Sequence, residues 1–220
     1  MRFTLRHRRR ETPVHRITSL LTEHDAGPRR PQDCATCDDA SRCPSRVTRL
    51  ARAHHVMLAR AHDLPLIPAI ELAAARLLAG LAPASVLGET TTQFALRKAR
   101  RAGRLWVGLS GDVPVGFAHV IVHEVGVAHL EEVDVHPDHA RRGLGRRLVQ
   151  TVCAWATSRG YHAVTLTTFR QPPWNMPFYA GLGFVPVAPD RVGAALRAVI
   201  DDETRRGLDP ARRVVMRYHA

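Results

Sequence analysis

A mixed α/β fold is predicted for this 220-residue chain by three observations. Strand-like runs come first as consecutive neighbours joined by short turns, which predicts antiparallel pairing. A strand–helix–strand crossover follows and adds a parallel pair. Amphipathic segments between and beyond these runs predict helices on both faces of one sheet. The sheet is expected to hold six to seven strands, mostly antiparallel.

The elements follow in order. Val56 to Ala59 reads as a short strand, and Asp63 is placed to cap a helix with Ile67, Ile70, Leu72, Ala74, Leu77 and Leu78 at helical spacing. A second helix covers Thr91 to Ala102. Strands then run over Leu105–Leu109, Val115–His123 and Val127–Val135, with turns at Ser110-Gly111-Asp112 and Gly126. A helix spans Leu144 to Ser158 and stops at Gly160. Strand Ala163–Thr168, a short helix around Pro177–Gly181, strand Phe184–Val187, helix Asp190–Arg206 and strand Arg213–Tyr218 complete the pattern. The helix Asp190–Arg206 is expected either to cover an acceptor site or to form a homodimer contact.

Residues 1–55 read differently, as a basic, cysteine-containing extension ahead of a domain at 56–220. Of a net charge of +12, half falls in residues 1–56, which carry 12 arginines against 6 acids and no sustained apolar period. Met57 is a candidate translation start. The segment lacks the apolar centre of a secretory signal, and Glu11, Glu23 and Asp25 argue against a transit peptide. Cys34, Cys37 and Cys43 have a spacing that suits zinc with His24, His54 or His55 as a fourth ligand. There is no second pair with zinc-site spacing, so no metal is expected. Cys153 falls on the apolar face of a helix and reads as core. Reduced thiols fit a cytoplasmic protein. No uncharged apolar run reaches membrane-spanning length, so no membrane partner is expected. Lys98 is the only lysine, so coding bias toward arginine and a phosphate-bearing partner both remain sources of the charge.

The chemistry concentrates between Val133 and Leu148. A strand ends at Val135, a helix begins near Leu144, and Gly143 and Gly145 flank its start. Glycine permits close backbone approach, and unpaired N–H groups at a helix start favour anions. Arg141, Arg142, Arg146 and Arg147 add formal charge, so the junction suits a pyrophosphate. The loop lacks the third glycine of a dinucleotide fingerprint and the Gly-Lys-Ser/Thr of an ATP loop, and the arginines alone would also suit nucleic acid.

Position decides. After the helix and one strand comes Asn175-Met176-Pro177-Phe178-Tyr179-Ala180-Gly181-Leu182-Gly183-Phe184. The loop and this segment in this order resemble the GNAT superfamily of acetyl-coenzyme A-dependent N-acetyltransferases, whose loop is Gln/Arg-x-x-Gly-x-Gly/Ala and whose later segment reads Asn…Phe-Tyr-x-x-x-Gly-Phe. The leading Gln/Arg falls here on Ala140, a departure. Thr167 to Arg170 with Pro172-Pro173-Trp174 is similar to a subgroup of small bacterial members, and Trp174 is expected to shape the acceptor mouth or cap the core.

The resemblance implies a splay between two central strands, with the coenzyme's pantetheine lying between them. It implies coenzyme contacts from Val133 and Val135 through backbone, from Arg141, Arg142, Gly143, Leu144, Gly145 and Arg146 at the pyrophosphate, and from Asn175 near the pantetheine. It implies direct attack of an amine on the thioester, with Tyr179 protonating the thiolate. Counted back from Gly143, the positions where family members carry a catalytic Glu or His fall on Glu131 and His129, so the resemblance favours Glu131 as base. Alternation sets His129, Glu131, Val133 and Val135 on one face, with Glu132 and Asp134 on the other, and Glu132 is held as the second candidate because a bulge would invert that order. His136 and His139 belong to the loop. The acceptor is expected to be a small-molecule primary amine. A protein N-terminal or lysine acetyltransferase is the alternative within the class. A non-catalytic coenzyme A-sensing or nucleic-acid-binding regulator is the alternative outside it, although no nucleic-acid-binding motif supports a polynucleotide partner.

Overall fold

The computed structural model describes residues 54–220. Within them, seven strands form one sheet: β1 (His54–Leu58), β2 (Leu105–Ser110), β3 (Val113–Glu124), β4 (Val127–Val135), β5 (Ala163–Phe169), β6 (Val185–Pro186) and β7 (Arg213–His219). Their order is β1-β2-β3-β4-β5-β7-β6, and every neighbouring pair is antiparallel except β4–β5. Helices α1 (Ile67–Ala75), α2 (Ala84–Leu87), α3 (Gln93–Arg101), α4 (Leu144–Ser158), α5 (Met176–Ala180) and α6 (Ala194–Arg205) surround it. The expected mixed sheet, mostly antiparallel with helices on both faces, is what the chain forms.

Period-two alternation sorts the sheet between two cores. On one face Leu148, Val149, Val152 and Ala156 of α4 pack on Trp106, Ala118, Ala128 and Leu130. On the other, Ile67 and Ile70 of α1 and Leu96 and Ala99 of α3 cover Leu105, Val107, Leu109 and Phe117. α4 lies close to the sheet because Gly108 of β2 and Gly116 of β3, direct partners across the pair, carry no side chain. A Cβ on Gly108 would come 2.7 Å from Leu144 Cδ1, and one on Gly116 would come 2.9 Å from the Asp134 carbonyl oxygen. The second contact is with backbone, which cannot rotate away. Gly116→Val should therefore lower stability by about 2–3 kcal/mol through overpacking, read as a reduced denaturant midpoint at constant slope.

The parallel seam determines where a ligand can enter. β4 and β5 pair only through Val127–Ala163, Ala128–Val164 and His129–Thr165. β4 then continues to Val135 and β5 to Phe169 without pairing to each other. This is the expected splay.

Two helices depart from the expected pattern. The helix expected from Asp63 is broken into a 3-10 turn (Ala61–Leu66), α1 and a second 3-10 turn (Arg76–Leu78). Pro65 lies inside the first turn and Pro68 opens α1, and neither can donate an intrahelical hydrogen bond. Asp63 is fully buried. It accepts the Arg60 N–H at 2.7 Å and ion-pairs with the Arg60 guanidinium at 3.1 Å, holding the turn from inside instead of capping a helix. Leu72 and Leu77, expected on the buried face, are exposed. The helix expected from Asp190 begins at Ala194, after a 3-10 turn over Pro189–Arg191.

Candidate active site

One side of the splay gathers free backbone donors and positive charge. β4 ends at Val135, and after a 3-10 turn (Pro137–His139) the chain reverses through Arg141 at φ 58° and Gly143 at φ 78°. A left-handed arginine is unusual and holds the loop in a fixed bend. Among the described residues no side chain caps α4, so the N–H groups of its first turn, at Leu144, Gly145 and Arg146, are free. Arg141, Arg142 and Arg146 are exposed around them, and the Arg146 guanidinium reaches the Gly181 carbonyl at 3.5 Å. Leu144 is buried, so only its backbone serves the loop. Val133 and Val135 turn their side chains onto the α4 core, while β4 has no partner across the splay from Leu130 onward. Asn175, half-buried, immediately precedes α5, and its carbonyl accepts the Tyr179 N–H. His136 and His139 lie in the loop as expected. His136 Nδ1 accepts the Asp138 N–H, and His139 is 3.1 Å from His54.

The opposite side is a cavity of about 670 Å³ with an acidic lining. Its shape follows from one extra residue. His119 pairs with Glu132 and Val120 with Leu130, so Glu131 is left without a partner in a β-bulge. The bulge corrects the regular alternation of β4. Val133 and Val135 join Leu130 on the α4 face, whereas Glu131, Glu132 and Asp134 all line the cavity. Across from them α1 contributes Glu71, and the turn before α3 contributes Glu89. α6 contributes Asp202 and Glu203, and Arg206 follows directly at its C-terminal end, so this helix covers the cavity. Arg213 completes the charged lining.

Two of these carboxylates are neutralised in place. Glu203 pairs with Arg213 at 2.6 Å and Glu89 with Arg206. Glu71 is buried and accepts the Thr91 N–H at 3.0 Å and the Thr91 hydroxyl, and burial raises its pKa. Burial also raises Glu131, followed by the nearby Glu203 charge. Glu132 is raised well above the usual range by burial and then by Asp134. Burial, with Glu71 next, lifts Asp134 to about 7. His119 on this wall and His129 beside Glu131 are neutral, because burial lowers both to about 4. His129 is held by Thr165 Oγ1 at 3.0 Å. His119 Nδ1, by contrast, is buried without a hydrogen-bond partner among the described residues.

A raised carboxylate costs stability once it ionises. The sign is that of a group whose folded pKa exceeds its unfolded value. No cost is felt below about pH 4, and the cost grows until the pH passes about 7, reaching at most about 4 kcal/mol for a shift of this size. Asp134→Asn should thus raise the melting temperature at pH 8 and leave it nearly unchanged at pH 4. Thermal melts of the two proteins across that range provide the check.

Tyr179 stands between the two sides. Its ring packs edge-on against Phe178 and Phe184. Burial and then the Asp134 and Glu132 charges push its phenol up, so it is protonated at neutral pH. Trp174, expected at the acceptor mouth or over the core, is exposed and lines neither. Cys153 is buried, as expected for core, and burial pushes its thiol up to about 12. Cys34, Cys37 and Cys43 lie outside the described residues, and among the described residues no cluster of three metal-ligating side chains forms.

His119, Glu71, Glu203 and Asp202 were not singled out from sequence. Only His119 carried a usable signal, as a polar residue inside the apolar run of β3. The other three become neighbours of β4 only through the packing of α1 and α6.

Residues 75–184 match the acetyltransferase (GNAT) family, and the chain belongs to that family. A 58-residue stretch is 36% identical to glucosamine 6-phosphate N-acetyltransferase of Trypanosoma brucei brucei, covering 26% of this chain and 37% of that protein. Among solved structures, PaiA N-acetyltransferase of Thermoplasma acidophilum in complex with coenzyme A matches with a TM-score of 0.60 at 11% identity, over 76% of this chain and 99% of that one. N-acetylglutamate synthase of Neisseria gonorrhoeae, complexed with coenzyme A and N-acetyl-glutamate, matches at 0.58 and 16% identity, over 76% and 35%. These two likenesses are of fold. Among the described residues no helix is long and apolar enough to cross a membrane.

Proposed function

We propose that this protein is an acetyl-coenzyme A-dependent N-acetyltransferase acting on a primary amine of a small molecule. The observation that carries the reading is the splayed seam, with uncapped helix N–H groups on one side and a carboxylate-lined cavity on the other. The donors fit acetyl-coenzyme A. Gly143, Leu144, Gly145 and Arg146 would hold the pyrophosphate through backbone N–H groups, with Arg141 and Arg142 adding charge. Val133, Val135 and Asn175 would flank the pantetheine arm. When bound, the coenzyme supplies an acetyl thioester, whose C–S bond breaks as the C–N bond to the acceptor forms.

An alkylamine with a pKa of about 10.4 arrives protonated and must lose that proton before it attacks. Glu132 takes the proton in this reading, since burial and the Asp134 charge bring its basicity toward neutral pH. Glu131, beside it on the same wall, is the second candidate. Tyr179 donates a hydrogen bond to the departing sulfur. A thiol near about 8.5 is the stronger acid, so the phenol shares its proton more than it surrenders it. The cavity volume suits a small molecule better than a folded protein surface. A cytoplasmic location goes with this reading, since acetyl-coenzyme A is used there and the cysteine spacing suits reduced thiols better than a disulfide framework. Acetyl-coenzyme A is expected to raise the melting temperature of the chain, and amines to release thiol from it. Absence of both effects would sink the reading.

A further inference from the structure

We propose that the acceptor carries a second positive charge besides the amine that is acetylated, held between Glu71 of α1 and Asp134 of β4. This rests on the acetyltransferase reading and adds the substrate class, a di- or polycationic amine.

Charge counting comes first. Seven carboxylates and two arginines line the cavity. Both arginines are committed to carboxylates, Arg206 to Glu89 and Arg213 to Glu203, and Asp202 pairs with Arg205 at 2.9 Å. Among the described residues, four carboxylates are left without an arginine or lysine partner: Glu71, Glu131, Glu132 and Asp134. The basic groups beside them are His129, 3.8 Å from Glu131, and His119, across from Glu132, and both are neutral in their buried settings. This local excess stands in a chain whose net charge is +12. A general negative composition does not account for it.

A second, independent feature points to a ligand. His119 is 5% exposed, lines the same cavity, and leaves Nδ1 without a partner among the described residues. A buried polar atom left unpaired is costly, and an ammonium N–H donated to a neutral imidazole would satisfy it. His119 lies directly across from Glu132 in the β3–β4 pair, so that donor sits at the reacting end.

The four carboxylates then divide along β4. Glu131 and Glu132 lie at the bulge, next to where the splay opens beyond His129. Asp134 is two residues farther on, about 7 Å along the strand. It is close enough to Glu71 for the two charges to repel. One ammonium compensates one end only. An acceptor with cations separated by a four- or five-carbon spacer compensates both. A phosphate-bearing or carboxylate-bearing amine would meet only repulsion.

The test uses the full chain, acetyl-coenzyme A and three amines that differ at the far end: 1,4-diaminobutane, butylamine and 4-aminobutanoate. We expect kcat/KM for the diamine to exceed that for butylamine by at least about 30-fold, with 4-aminobutanoate slower still. In the presence of coenzyme A the diamine should also raise the melting temperature more than butylamine does. Glu71→Gln should reduce the diamine-to-butylamine ratio below about 5, and Glu71→Asp should retain part of it. Equal rates and equal thermal shifts for diamine and monoamine, or a preference for 4-aminobutanoate, would overturn the second-cation site and leave the acetyltransferase reading standing. No thermal shift with acetyl-coenzyme A and no thiol release from any amine would overturn both.

Discussion

Glu132→Gln should lower kcat by about 10²–10³-fold while leaving KM for acetyl-coenzyme A unchanged. The amide keeps the size of the carboxylate but cannot take the proton that the incoming ammonium must lose. Glu132 is singled out by its setting. The bulge at Glu131 turns it into the cavity, Asp134 repels its charge from the same face, and burial raises its pKa further. The coenzyme's phosphates would be held at the other end of the splay, by α4, so their binding is not expected to change. The variant's pH profile gives a second measure. In the unmodified protein kcat/KM should rise through an inflection well above the ordinary carboxylate range, and Asp134→Asn should move that inflection down by removing the neighbouring charge. If Glu132→Gln turns over normally and Glu131→Gln does not, the proton goes to the bulged residue instead.

Much of the fold was legible because its signals are local. Val127–Val135 and Leu144–Ser158 were delimited to the residue from apolar period and flanking glycines. α1 was less legible, because Pro65 and Pro68 divide a stretch whose apolar residues occur all round and therefore mark no single face. The glycine-flanked start of α4 was legible for the same reason as the helices. Gly143 and Gly145 sit within one short segment at a strand–helix junction.

The acidic end was only partly legible. Glu131, Glu132 and Asp134 could be named from the strand, but their common face could not. Which of them meets the cavity depends on a register slip between His119 and Val120, and that is a property of two strands together. Glu71, Asp202 and Glu203 lie tens of residues away in sequence and approach β4 only after α1 and α6 have packed. The net charge was misleading in the same way. The sum of +12 conceals a cavity in which carboxylates outnumber arginines seven to two. Basic residues gather where phosphates would bind, and acidic ones where an amine would.

Gly145→Glu is expected to raise KM for acetyl-coenzyme A by at least about 100-fold with little loss of stability. The position tolerates a side chain. A Cβ there would meet Phe178 Cζ at 3.7 Å and Val135 Cγ2 at 3.8 Å, both ordinary contacts, and Gly145 is not among the positive-φ glycines. A glutamate in the first turn of α4 is favourable for the helix itself, since its charge complements the positive end of the dipole. The same placement puts a carboxylate where a pyrophosphate would sit, competing for the free N–H groups and repelling the phosphate charge. Stability and binding should therefore separate. The melting temperature of the variant alone should match or exceed that of the unmodified chain, and the rise on adding acetyl-coenzyme A should disappear. Gly145→Ala provides the control: it fits the same space without charge and should keep most of the thermal shift. If Gly145→Glu still responds fully to acetyl-coenzyme A, the phosphates are bound elsewhere and the uncapped start of α4 is not their site.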